Sequence, residues 1–135
     1  MSSEKEDILK ELLIDEEAIL KVLVNKAKEV FKIDKKSGRT VLLIPKTRLT
    51  DRELIMLTLL GRYFANKLNL FDSSSMTIED IAQELNRAKS SVSARMAELK
   101  RERIVEMLAR GEYKINYTEI SRLLDEISEK VSGSK

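Results

Sequence analysis

The sequence predicts a mainly α protein with small β-hairpins, an α+β arrangement, and three observations carry that prediction. Apolar residues recur at helical spacing in six separate stretches between residues 4 and 131. Two of these stretches open with the reciprocal cap signature, Thr50 with Glu53 and Thr77 with Asp80. In two places the period shortens to alternation around a turn glycine, near Gly38 and near Gly111.

At 135 residues the chain suits one ordinary domain, or a compact domain with helical extensions. With 42% apolar and 36% charged residues of both signs, it has the composition of a folded protein. There is no cysteine, which excludes disulfides and thiolate chemistry, and no histidine, the commonest general base and metal ligand. The four glycines (38, 61, 111 and 133) are too scattered to cradle a phosphate. No enzymatic activity, cofactor or metal is therefore expected. No apolar run is long enough to span a bilayer, and the N-terminus lacks a basic-then-apolar signal pattern. A cytoplasmic protein without a membrane partner is the expectation. High Lys and Glu content without Cys, His or Trp also fits a thermophile.

In chain order, Ile8, Leu9, Leu12 and Leu13 share one face of a short first helix. Asp15 caps a second, whose stripe is Ala18, Ile19, Val22, Leu23, Ala27 and Val30. Phe31–Asp34 and Arg39–Ile44 read as a hairpin with Gly38 at positive φ, and Pro45 ends its second strand. The Thr50 cap, flanked by Leu49 and Leu54 as a hydrophobic staple, opens a helix to about Leu68. Its face is Leu54, Leu57, Leu60, Phe64 and Leu68, and Asn69–Ser75 is a loop.

The Thr77 cap, with Met76 and Ile81 as its staple, opens a helix of only about two turns bearing Ile78, Ile81, Ala82 and Leu85. Asn86 stands where a helix end favours a left-handed residue. Within three residues a further amphipathic stretch begins, carrying Val92, Met96 and Leu99 as core positions. Two short helices joined so tightly cross steeply, as in a helix-turn-helix. Ile104–Leu108 and Tyr113–Tyr117 then read as strands about an Arg110-Gly111-Glu112 turn. Thr118 is expected to cap a last helix with the stripe Ile120, Leu123, Leu124, Ile127 and Val131.

Residues 77–106, TIEDIAQELNRAKSSVSARMAELKRERIVE, resemble the helix-turn-helix of winged-helix transcriptional regulators, including MarR-like and ArsR-like groups. Ile81, Ala82 and Leu85 fall at packing positions of the first helix, Ser90-Ser91-Val92-Ser93 at the start of the recognition helix, and Leu99 with Ile104-Val105 at the exit into the wing. The likeness covers about half the chain. Three residues depart from it: Asn86 replaces a turn glycine, Ala88 a capping Ser or Thr, and Arg103 the glycine before the wing strand. With Ala88 at that place, the recognition helix starts at Lys89 or, with Ser90 as its cap, later.

The resemblance implies a winged helix-turn-helix over 49–117, preceded by N-terminal helices and a hairpin (1–48) and followed by a C-terminal helix (118–135). It implies double-stranded DNA as partner, with the recognition helix (about 89–101) in the major groove and the wing (about 104–117) on the backbone. The expected contact residues are Arg87, Lys89, Ser90, Ser91, Ser93, Ala94, Arg95, Lys100, Arg110 and Lys114. The charge pattern is compatible: residues 84–114 hold eight cations against five acids, although the whole chain is only +2. Residues 35–48 hold five cations and no acid, and read slightly better as a solvated turn than as a wider DNA footprint. A homodimer through the terminal helices follows from the same resemblance. The modest net charge leaves a second possibility, a winged helix that binds protein within a larger assembly.

Overall fold

The computed structural model describes residues 4–13 and 15–132, the side chains of 16, 131 and 132 excepted. Val131 of the expected last stripe therefore lies outside the described side chains. The chain is mostly helical with small antiparallel sheets, and no described helix is long and apolar enough to cross a membrane.

Helix α1 (Glu4–Leu9) runs into a 3-10 turn at Lys10–Leu12 and buries none of its residues. Helix α2 (Glu16–Ala27) starts where the Asp15 carboxylate accepts from the Glu17 and Ala18 amides at 3.1 and 3.2 Å. Its buried side is Leu23 and Ala27, continued by Val30. Ala18 and Val22, expected in that stripe, are exposed, because α2 touches the rest of the chain along a narrower strip than its apolar pattern offers.

Strands β1 (Phe31–Ile33) and β2 (Thr40–Leu42) pair antiparallel, Phe31 opposite Leu42 and Ile33 opposite Thr40. Gly38 takes φ 74° in their turn, where its open Cα faces the edge of Phe71. The ladder is shorter than the sequence suggests. It ends before Pro45, which has no N–H to donate, and a 3-10 turn at Lys46–Arg48 follows.

Helix α3 (Asp51–Lys67) opens with the expected capping box: the Glu53 amide donates to Thr50 Oγ1 at 3.1 Å and the Thr50 amide to Glu53 Oε1 at 2.8 Å. Every residue from Leu54 to Gly61 is buried, so α3 is enclosed on all sides instead of along one face. The one buried hydroxyl on it, Thr58, donates to the Leu54 carbonyl at 2.8 Å. Leu68, expected at the end of the stripe, is exposed just past the helix.

A two-residue strand, β3 (Met76–Thr77), was not legible in the sequence. It precedes helices α4 (Ile78–Leu85) and α5 (Lys89–Arg101), and strands β4 (Val105–Ala109) and β5 (Glu112–Ile115). The sheet order is β3-β5-β4, with Met76 opposite Tyr113 and Val105 opposite Ile115. Gly111 takes φ 78° in the β4–β5 turn.

Helix α6 (Tyr117–Ser132) corrects two expectations. The last strand stops at Ile115, and Tyr117 is already helical. The cap is Asn116, whose Oδ1 accepts from the Thr118 amide at 3.3 Å and the Thr118 hydroxyl at 2.9 Å. Asn is at least as good an N-cap as Thr, and here it comes first. Ile120, Leu123, Leu124 and Ile127 are buried within the same chain, against α2 and the core around α3. Lys26 on α2 fastens the pair, donating to Ser121 Oγ at 2.9 Å and facing Asp125 at 2.9 Å. One cluster of buried residues runs from Leu23 to Ile127.

Candidate nucleic-acid interface

The α4–α5 unit is set by its ends. Thr77 and Asp80 close a reciprocal box at 3.0 and 3.2 Å, satisfying two amides of the first turn of α4. At the other end Asn86 adopts φ 54°, ψ 51°, and the Arg87 amide reaches back to the Ala82 carbonyl at 2.9 Å. That six-to-one bond stops α4 after eight residues and turns the chain at once. Helix α5 begins at Lys89 with Ala88 as an N-cap that offers no side-chain acceptor, so Ser90 is not the cap.

Val92, Met96 and Leu99 are the inward face of α5. A helix repeats every 3.6 residues, so Ser90, Ala94, Ala97 and Arg101 form its outer face, with Ser91 and Ser93 on either flank. Ser90, Ser91, Ser93, Ala94 and Arg95 are all exposed, as expected. Ala97 was not singled out in the sequence, yet its place three residues beyond Ala94 puts it on the same face.

The basic candidates divide into two groups. Arg87 Nε donates to Asp51 Oδ1 at 3.2 Å, and Lys89 Nζ to Glu79 Oε1 at 3.0 Å. Arg95 Nη1 donates to Glu98 Oε1 at 2.8 Å, and Lys114 Nζ lies 3.8 Å from Glu106 Oε2. Lys100 and Arg110 have no ion-pair partner among the described residues, nor do Arg101 and Arg103. Exposed pairs of this kind contribute only about 0–1 kcal/mol each, so a phosphate can displace the acid. The acids still lower the positive potential of the face.

Strand β4 is an edge strand, and Met107 and Leu108 on it are exposed. Arg110 follows at the turn and Lys114 returns on β5.

The first turn of α3 holds this unit in place, which no local pattern announces. Asp51 meets Arg87 before α5. Arg52 grips Glu102 at the end of α5 with both guanidinium nitrogens, one at 2.9 Å. Glu53 takes the Lys130 ammonium of α6 at 2.7 Å. The hydrogen bond from Arg52 holds the Glu102 carboxyl below its ordinary range, and Glu102 raises the guanidinium in return. For Glu53, burial pushes the carboxyl up, but Lys130 and the Thr50 amide outweigh it, and the net shift is downward. These partners stand 36 to 77 residues apart, beyond the reach of periodicity.

The basic stretch before α3 lies beside α4. Burial raises the Glu84 carboxyl on α4, and Arg39, Arg62 and Lys46 partly offset the rise. Arg62 is itself stacked 3.6 Å over the Phe71 ring. Lys35 and Lys36 are exposed in the turn, which a solvated turn and a wider DNA footprint both allow.

No family model, curated protein or solved structure matches the chain.

Proposed function

We propose that this chain is a winged helix-turn-helix protein that binds double-stranded DNA, as a sequence-specific transcriptional regulator in the cytoplasm. The observation that carries the reading is the order α3–β3–α4–turn–α5–β4–β5 with β3-β5-β4 in the sheet, which leaves the Ser- and Ala-rich face of α5 outward beside an exposed hairpin. In this reading α5 enters the major groove. Ser90, Ser91 and Ser93 meet phosphates or base edges, Ala94 a thymine methyl, and Lys89 or Arg95 a guanine or phosphate. Lys100, Arg110, Lys114 and Arg87 lie toward the backbone. The chain acts by binding and not by catalysis, and two copies paired through the terminal helices match a two-fold operator. Since the α6 stripe is buried in its own chain, the N-terminal helices offer the free apolar face.

The test is duplex binding across a salt series. Affinity should fall steeply with added salt as counterions are released. The Lys89→Ala/Arg95→Ala variant should lose affinity while its thermal melt stays unchanged. No duplex binding at low salt overturns the reading.

A second reading, a winged helix that docks on protein, is favoured by the acids interleaved with the cations and by exposed Met107 and Leu108 on an edge strand. Salt-insensitive capture of a protein partner, lost on Met107→Lys/Leu108→Lys, would select it.

A further inference from the structure

Two anomalies of the surface match each other. The first is α1 with its 3-10 extension. Ile8, Leu9, Leu12 and Leu13 are 66, 51, 81 and 71% exposed, and no residue of that segment is buried. Four large apolar side chains exposed together on one short segment form an uncovered apolar surface, unlike single scattered surface residues. The same segment is acidic, with Glu4, Glu6, Asp7 and Glu11 against Lys5 and Lys10.

The second is an open groove of about 350 Å³ between α2, β1 and the end of α3. Leu20, Val24 and Phe31 line it together with Lys28, Lys32 and Lys67, with no acid among its lining residues. None of the three lysines has an ion-pair partner among the described residues. From Leu20 to Ala27 the groove follows α2 for roughly 10 Å, and residues 4–12 span roughly 13 Å at helical rise. An acidic, apolar segment and a basic, apolar groove of similar length sit on one chain.

We propose that two copies of the chain pair by exchange, the α1 segment of each seated in the α2–β1–α3 groove of the other. The occupant is a second copy because the chain itself supplies both complementary surfaces. Reciprocal exchange covers both anomalies twice and leaves neither surface over, as a two-fold interface does. The inference rests on the dimer part of the function proposed above and is independent of DNA.

Two measurements without DNA test it. Sedimentation equilibrium of the full chain should show a dimer. Leu12→Lys, at the most exposed of the four positions, should weaken it by about tenfold or more while the melt is unchanged. Lys28→Glu/Lys32→Glu should weaken it similarly, and Glu4→Lys/Glu11→Lys added to that variant should restore most of the loss. Because the chain has no cysteine, a Leu12→Cys copy mixed with a Val24→Cys copy should give the mixed disulfide under mild oxidation. Leu12→Cys mixed with Met107→Cys should not. A monomer at all concentrations overturns both the dimer and the exchange. A dimer that keeps its affinity in Leu12→Lys overturns the exchange alone, as does a Leu12→Cys/Val24→Cys chain that closes its disulfide within one copy.

Discussion

The carboxylate of Asp51, the first residue of α3, holds the guanidinium of Arg87 in the α4–α5 turn at 3.2 Å. The bond ties the turn to the most buried helix of the chain, and it also neutralises a cation at the edge of the proposed DNA face. Asp51→Asn keeps the size of the side chain and frees the charge. Affinity for duplex DNA at low salt should rise by roughly three- to tenfold, and the gain should fade with added salt. Anisotropy of a labelled duplex measures both. Unchanged affinity would place Arg87 outside the interface.

Gly61 and Thr40 mark a close approach of the hairpin to α3. A Cβ on Gly61 would lie 1.7 Å from Thr40 Oγ1 and 2.9 Å from its Cβ. The usual helical gain of Ala over Gly is therefore overridden by steric conflict. Gly61→Ala should destabilise the chain by about 1–3 kcal/mol in urea titration. Adding Thr40→Gly, which removes the clashing atoms, should recover part of that loss.

Arg103 adopts φ 62° at the exit of α5, and the Ile104 amide closes back onto the Leu99 carbonyl at 3.0 Å. This is the αL ending that glycine fills without a Cβ penalty. Arg103→Gly should stabilise the fold by up to about 1 kcal/mol, and Arg103→Val should destabilise it by about the same amount. Paired thermal melts decide. Equal loss in both variants would mean that contacts of the Arg103 side chain outweigh the backbone conformation.

Two carboxylates should give opposite pH signatures. Burial raises Glu84 above its ordinary 4.5, so the fold favours its protonated form, and stability drops as pH rises through the raised value. Glu84→Gln should melt higher than the parent at pH 7 and converge with it in acid. Glu53 is shifted down, burial notwithstanding, because Lys130 and Thr50 stabilise the carboxylate. Its contribution is present above 4.5 and is lost as pH falls through the lowered value. Lys130→Met should therefore lower stability at pH 7, by about 1 kcal/mol for a pair whose lysine is well exposed and whose carboxylate is partly buried, and make no difference in strong acid.

Local chemistry was legible in the sequence wherever the interaction spans a few residues. The boxes at Thr50 and Thr77, the left-handed end at Asn86 and the turns at Gly38 and Gly111 all stand where the spacing put them. The exposed face of α5 was legible too, because burying Val92, Met96 and Leu99 leaves Ser90, Ser91 and Ala94 outward. Boundaries failed where two good signals competed. Asn116 took the cap ahead of Thr118, and Tyr117 left the strand for the helix.

Only the tertiary structure decided which apolar surfaces were used. Periodicity says that a face is apolar, not what covers it, so the stripes of α1, α2 and α6 looked alike. Packing buried α6 against the core, covered α2 in part and left α1 bare. The pairing of cations with acids was equally invisible, since Asp51 meets Arg87 and Arg52 meets Glu102 only after α3, α4 and α5 have packed. Short-range hydrogen bonding shaped each element of this protein, while long-range packing chose which of its charges and apolar faces remain open to a partner.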